Sequence, residues 1–199
     1  MSPDPAHAGA ADDGAARRQA GSSLERLRSL LLAEGGLMAN LAGSSPDGHD
    51  APIAGPTELA GPAQLAASGP RVDGRGADYE LLVETIYEGY LLHYHAPRVV
   101  VPPEEDLGLL AGDRLYALGL ARLVELGDIE AVAELADVIA LSALAHASSS
   151  PELAAAVWTA GARAVGWGAS PRYDRAKALL RAGSPDALEA LRSLNDGEP

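Results

Sequence analysis

Most of the architecture of this 199-residue chain follows from residues Pro103–Ala147, PEEDLGLLAGDRLYALGLARLVELGDIEAVAELADVIALSALAHA. The apolar residues recur at three- and four-residue steps, which predicts two amphipathic α-helices. Gly127 and Asp128 separate them, because glycine suits the position after a helix and aspartate can cap the next helix. A turn this short predicts an antiparallel helix hairpin.

The two predicted helices have apolar faces that we expect to lie inward. These faces consist of Leu107, Leu110, Leu115, Leu118, Leu123 and Leu126 on the first helix, and Ile129, Val132, Leu135, Ile139 and Leu144 on the second. Gly112 and Gly119 lie seven residues apart on the first helix. Two small residues at that spacing predict a close crossing with another helix.

Further helices are predicted on both sides of the hairpin. Asp78 can act as the N-cap of a helix that continues to about His95, and Pro97 ends it. Three Ser-Pro pairs place a capping hydroxyl before a proline in the first helical position. They predict helices near 151–165, 171–182 and 185–194. The sequence therefore predicts an all-α fold, an antiparallel bundle of about five to six helices.

The N-terminal part divides by composition. Residues 1–21 are polar and rich in alanine and glycine, which predicts a disordered leader. Residues 22–42 carry a leucine stripe that predicts a short amphipathic helix, weakened by two adjacent glycines in its middle. One interpretation is that this helix docks on the body of the protein or on a partner. The alternative is a helix of marginal stability in a flexible arm. Residues 43–76 are predicted to be a Pro/Gly-rich linker, and residues 77–199 an all-helical domain.

Charge and composition exclude several classes of function. The formal net charge is −13, and residues 77–199 contain 19 acidic against nine basic side chains. Such a surface repels nucleic-acid phosphates and anionic lipid, so no nucleic-acid partner is expected. No apolar run reaches the ~20 residues of a membrane span, and the N-terminus lacks a secretory signal pattern. The chain has no cysteine, and we expect a cytoplasmic location.

Four residues are candidates for metal binding or acid–base chemistry. Glu84, Glu88 and His95 are spaced so that a continuous helix would place them on one face. The alternative is an ordinary solvated helix face, since the Glu-x-x-His pair of di-iron bundles is absent. Asp113 interrupts an apolar face and, if buried, needs a partner such as an amide or a tyrosine hydroxyl. His146 is expected to be structural, and no catalytic, cofactor or metal residue is assigned.

The segment Leu109–Ala143, LLAGDRLYALGLARLVELGDIEAVAELADVIALSA, resembles the middle of trans-polyprenyl diphosphate synthases. In that family a Leu-Ala-Gly-Asp sequence opens a long core helix, so the resemblance implies an isoprenoid synthase-like helical core. Two aspartate-rich motifs of the family hold magnesium and the substrate diphosphate. At the place of the first motif, Glu88–His95, this chain has EGYLLHYH without an aspartate, and it ends before a second motif.

These departures imply a shortened, non-catalytic relative, similar to the small subunits with which some heteromeric synthases set chain length. We therefore expect a helical subunit without a cofactor that binds a protein partner, associates with itself, or binds an isoprenoid chain. A second hypothesis is a small metal-dependent enzyme that uses Glu84, Glu88, His95 and Asp113. A third is a helical scaffold without activity of its own.

Overall fold

The computed structural model describes residues 23–43 and 61–194, and these contain helices and no strand, which confirms the all-α prediction. The helices are α1 (23–34), α2 (Gly36–Gly43), α3 (Pro62–Ala67), α4 (Gly76–Tyr94), α5 (Glu105–Glu125), α6 (Ile129–Ala147), α7 (Pro151–Trp167), α8 (Pro171–Arg181) and α9 (Ala187–Arg192), with a 3₁₀ turn at Pro70–Val72. Helices α4 to α9 correspond to the predicted bundle of five to six helices. The predicted leader 1–21 lies outside the described residues, as does part of the predicted linker.

Helix α4 lies at the centre of the molecule. Its buried residues occupy nearly every position from Tyr79 to Leu91 and so cover all of its sides. It packs against α3 and α5, and Trp158 of α7 contacts the rings of Tyr87 and Tyr90. A helix surrounded in this way has no solvated face, so any charged group that it carries must find a partner inside the protein.

The crossing of α4 and α5 depends on glycine. A Cβ atom at Gly112 would lie 3.0 Å from the carbonyl oxygen of Gly89, and one at Gly119 would collide with the side chain of Ile86. The contacts run in opposite order along the two helices, so α4 and α5 are antiparallel. The predicted close approach at Gly112 and Gly119 is confirmed.

Helices α6 to α9 complete the main core on the other side. Helices α6 and α7 approach closely where Gly161 leaves room for Val138. Helix α7 ends before Gly168, whose φ of 93° favours glycine. The hydroxyl of Ser170 then caps α8 by accepting a hydrogen bond from the amide of Tyr173 at 3.2 Å, as the Ser-Pro signal predicts. The other two Ser-Pro predictions are wrong in part: the Ser150 side chain makes no capping hydrogen bond to α7, and α9 begins at Ala187, after Pro185.

The N-terminal arm formed by α1 and α2 docks on the body, which is one of the two predicted alternatives. Its break falls at Gly35, whose φ is 74°. The amide of Val101 donates a hydrogen bond to the carbonyl oxygen of Leu41 at 3.1 Å. A second hydrophobic core joins the arm to α5 and to the loop before it, and consists of Leu27, Leu31, Met38, Leu41, Ala42, Val99, Val100, Ala111, Leu115 and Leu118.

The linker prediction for residues 43–76 is wrong from residue 61 onward. Pro62–Ala67 form α3 and Pro70–Val72 form the 3₁₀ turn, and both pack against α7. At Gly69 and Gly166 the two backbones touch and leave no space for a Cβ atom. Small residues make this contact, so the segment has the composition of a linker although it is part of the core.

Two further predictions need correction. Helix α4 begins at Gly76, so Asp78 lies in its first turn and is not the N-cap. Three aliphatic residues predicted on inward faces are exposed: Leu110 (63 %), Ile129 (61 %) and Leu144. Ile129 and Leu144 lie in the first and last turns of α6, and Leu110 lies in the second turn of α5.

Candidate functional site

Glu84 and Glu88 lie one turn apart on α4 and are only 2 % and 0 % exposed. Oε1 of Glu88 accepts hydrogen bonds from the amides of Arg98, Val99 and Val100 at 2.7, 2.6 and 3.1 Å. These amides belong to the loop between α4 and α5. Because the loop has no helical partners for its amides, Glu88 anchors it to the central helix.

The guanidinium of Arg98 completes what we call the carboxylate cluster, Glu84, Glu88 and Arg98. It donates a hydrogen bond to Glu84, its Nε lies 3.4 Å from Oε2 of Glu88, and it covers the ring of Tyr87 at 5.1 Å. Burial raises the pKa of Glu84, and the charge of Arg98 opposes that shift. The prediction of a solvated helix face is therefore wrong, because these acids are buried and paired.

His95 does not join these acids. Helix α4 ends at Tyr94, and His95 has extended backbone with φ −145° and ψ −172°, so helical spacing no longer describes its direction. Its Nε2 lies 3.0 Å from the phenol oxygen of Tyr90, and Nε2 of His146 lies 2.9 Å from the same oxygen. We call Tyr90, His95 and His146 the imidazole–phenol cluster.

The single phenol proton constrains this cluster. Tyr90 can donate its O–H to one imidazole and must accept an N–H from the other, so the two histidines differ in tautomer. Burial lowers the pKa of His146, and the neighbouring His95 lowers it further. Burial also raises the pKa of Tyr90. Both shifts favour the uncharged forms of His146 and Tyr90.

Aromatic rings hold the imidazole–phenol cluster in place. Tyr94 stacks on His146 with ring centroids 4.1 Å apart and an interplanar angle of 1°. On the other side the ring of Tyr90 contacts those of Tyr87 and Trp158 at 5.6 and 5.2 Å. Ring contacts at these distances stabilise the orientation of each side chain.

Asp113 lies apart from both clusters. Its side chain is 69 % exposed, and its Oδ1 is 3.2 Å from Nε2 of His93. His93 in turn stacks on Tyr116 with centroids 5.3 Å apart. Because Asp113 is exposed, it does not need the amide or hydroxyl partner expected for a buried carboxylate.

The structure therefore places the four candidates in three separate surroundings. Glu84 and Glu88 share Arg98, while His95 and Asp113 each belong to a different group. Within residues 23–43 and 61–194, no three His, Asp or Glu side chains are arranged to hold a metal ion.

A third polar cluster lies near the N-terminal end of α4. Asp128 accepts a hydrogen bond from Nη1 of Arg71 at 2.7 Å, another from the hydroxyl of Tyr79, and a third from the amide of Ala131 at 3.0 Å. The bond to Ala131 confirms the predicted N-cap of α6. The Arg71 guanidinium, with Tyr79 and the Ala131 amide, holds the pKa of Asp128 well below its usual value.

Sequence reasoning missed Arg71, Tyr90 and Arg98. Arg98 had one signal, since it is the first arginine or lysine after the four acids of α4. Arg71 had none, because it lies in the segment predicted as a linker. Tyr90 lies among the apolar residues of α4, and its hydroxyl could be linked to His146 only once α4 and α6 were placed together.

The surface of the described region also carries a groove of about 520 Å³ between α6, α7, α8 and α9, and its lining includes the polar side chains of Ser148, Ser150, Arg181 and Ser184. Its aliphatic lining consists of Leu144, Leu153, Leu180 and Leu188. Among the described helices, none is both long enough and apolar enough to cross a membrane.

No family model, curated protein or solved structure matches this chain. The resemblance of Leu109–Ala143 to trans-polyprenyl diphosphate synthases therefore stays a prediction.

Proposed function

We propose that this protein is a non-catalytic helical subunit that binds a protein partner through the turn between α5 and α6. The observation that carries the proposal is a pair of aliphatic side chains that flank this turn, Val124 and Ile129, both more than half exposed. Covering such side chains releases water from apolar surface and favours association. The turn between α5 and α6 is three residues long, so Val124 and Ile129 are only five residues apart in the sequence.

The polar interior supports the non-catalytic part of this proposal. The carboxylate cluster anchors a loop, and Asp128 joins Arg71 to the start of α6. Lys177 lies within 3.0 Å of Glu134 and 3.1 Å of Asp137, so it links α8 to α6. These buried ionic groups are used in contacts between elements of the fold and do not converge on a common substrate position.

The charge of the chain defines the partner further. With a net charge of −13, the protein attracts a partner whose contact surface combines an apolar centre with a basic rim. A catalytic synthase subunit is the class of partner that the resemblance implies. The alternative of a metal-dependent enzyme that uses Glu84, Glu88, His95 and Asp113 loses support, because His95 and Asp113 lie apart from the two glutamates.

The test is to purify the tagged chain from its own cells and to analyse the assembly by native mass spectrometry. We expect a stoichiometric complex that the double variant V124E/I129E loses. The matched control, A136E/A140E, adds the same two charges at exposed alanines of α6 and should retain the partner. A chain that stays monomeric, or a complex that survives V124E/I129E, would contradict the proposal. A homodimer disrupted by the same variant would identify a second copy as the partner.

Binding of an isoprenoid chain is a second candidate, favoured by the aliphatic side chains in the groove between α6 and α9. A fluorescent isoprenoid analogue should bind the wild-type protein and should bind L153E at least about tenfold more weakly, because the charge enters the aliphatic lining of the groove. Equal binding by both proteins would remove this candidate.

A further inference from the structure

Three donor atoms meet at the C-terminal ends of α4 and α6. The phenol oxygen of Tyr90 lies 3.0 Å from Nε2 of His95 and 2.9 Å from Nε2 of His146. Tyr90 belongs to α4, His95 follows the end of that helix, and His146 lies in the last turn of α6. Two imidazoles therefore reach one phenol oxygen from separate parts of the chain.

Imidazole nitrogen and anionic oxygen are the donors that zinc, copper and nickel prefer in proteins. A tetrahedral ion with bonds of ~2.0–2.1 Å keeps its donor atoms about 3.3 Å apart. The two distances from the Tyr90 oxygen to the imidazole nitrogens therefore need to widen by only a few tenths of an ångström. His95 is exposed and stands on extended backbone beyond the helix, where such a movement meets little resistance.

We infer that Tyr90, His95 and His146 form a binding site for one divalent transition-metal ion of the zinc and copper class. The site has three protein ligands and opens to solvent beside His95, so water completes the coordination. Stacking of Tyr94 on His146 at 4.1 Å orients one ligand ring in advance. The site is independent of the carboxylate cluster and of the proposed partner surface.

The proton balance of binding follows from the hydrogen bonds. The phenol loses its proton to solvent when its oxygen binds the ion. The imidazole that carries its proton on Nε2 must move it to Nδ1, which releases no further proton. When both imidazoles are neutral before binding, one proton is released per ion, and the phenolate with two neutral imidazoles leaves a net charge of +1 on the site.

The experiment is isothermal titration of the metal-free, full-length protein with Zn²⁺ and, separately, with Cu²⁺ at neutral pH. We expect one ion per chain, with affinity reduced at least about tenfold in H95Q and in H146Q. Titration in buffers of different ionisation enthalpy should show one proton released by the wild-type protein and none by Y90F. The copper complex should show a phenolate-to-copper charge-transfer band that Y90F lacks.

The control variant is H93Q, which removes a neighbouring imidazole outside the three-ligand set and should bind both ions as the wild type does. The wild-type reference and all variants carry H7Q and H49Q as well, so that His93, His95 and His146 are the only histidines left in the 199-residue chain. Helical circular dichroism confirms that each variant is folded. No stoichiometric binding of either ion, or equal losses in H93Q and H95Q, would overturn the inference. Binding by one ion alone would assign the site to that metal.

Discussion

Two polar clusters on the same helix show how neighbouring residues acquire different properties. Glu88 lies within the buried length of α4, and its carboxylate pairs with Arg98 and accepts hydrogen bonds from three loop amides. Tyr90 lies only two residues further on, yet its hydroxyl donates a hydrogen bond to one imidazole and accepts one from another near the surface. The carboxylate cluster therefore stabilises the fold, whereas the imidazole–phenol cluster has donor atoms that a ligand can use.

The largest expected effect breaks the first of these clusters. E88A leaves three amides without their acceptor and Arg98 with one carboxylate instead of two. Because these groups are buried, the free energy of unfolding should fall by about 3–5 kcal/mol, measured by urea denaturation with circular dichroism. The control E105A removes an exposed acid at the start of α5 and should change stability by less than about 0.5 kcal/mol. Equal stability of E88A and E105A would show that Glu88 does not anchor the loop.

The second largest effect is expected for Asp128, a buried carboxylate that contacts the N-terminal part of α4 through Tyr79. D128N weakens the bonds to Arg71 and Tyr79 and should cost about 1.5–3 kcal/mol at neutral pH. The folded state holds the pKa of Asp128 below its unfolded value of about 3.9, mainly through Arg71. Its stabilisation is therefore complete above about pH 4 and is lost as the pH falls below that value.

Urea denaturation of the wild type and D128N at neutral pH and at about pH 3 measures this dependence. The difference in stability between them should be smaller at the lower pH. D73N, at an exposed aspartate, provides the control and should differ little from the wild type at either pH. A difference that grows on acidification would contradict the role given to Asp128.

The helices that could be predicted are those whose signals are local. Helices α5 and α6 follow from their apolar period, and Asp128 and Ser170 cap α6 and α8 as their side-chain chemistry predicts. Helix α3 could not be predicted, because Ala66 and the following Gly69 meet Gly166 of α7 through backbone contact, and no apolar stripe marks such a contact. A segment rich in glycine and proline can be a linker or can pack closely through its backbone, and its composition does not distinguish the two.

The candidate site was only partly predictable, for a related reason. His95 was identified as a candidate, but the prediction that it lies beside Glu84 and Glu88 required α4 to continue through residue 95. The helix ends one residue earlier, and the side chain turns toward Tyr90 and His146. Its partner His146 is 51 residues away in the chain. Periodicity describes residues within one helix and says nothing about which helix ends lie together.

The next largest effect is expected from the close packing of α4 against α5. G119A places a methyl group against Ile86 where the helices α4 and α5 cross. The helices must separate or Ile86 must change rotamer, so we expect a loss of about 1–2 kcal/mol by urea denaturation. A117V adds volume on the exposed side of α5 and should cost less than about 1 kcal/mol. If the two variants are equally stable, close packing at Gly119 does not hold α4 in position.

The smallest expected effect belongs to the imidazole–phenol cluster. H95Q, in metal-free protein, removes one hydrogen bond beside solvent, and water can replace the lost partner of Tyr90. The free energy of unfolding should therefore fall by less than about 1 kcal/mol, several-fold less than for E88A. H93Q provides the matched control, since it removes another partly exposed imidazole from α4. A loss in H95Q as large as that in E88A would mean that both clusters stabilise the fold equally, and the physical difference between them would disappear.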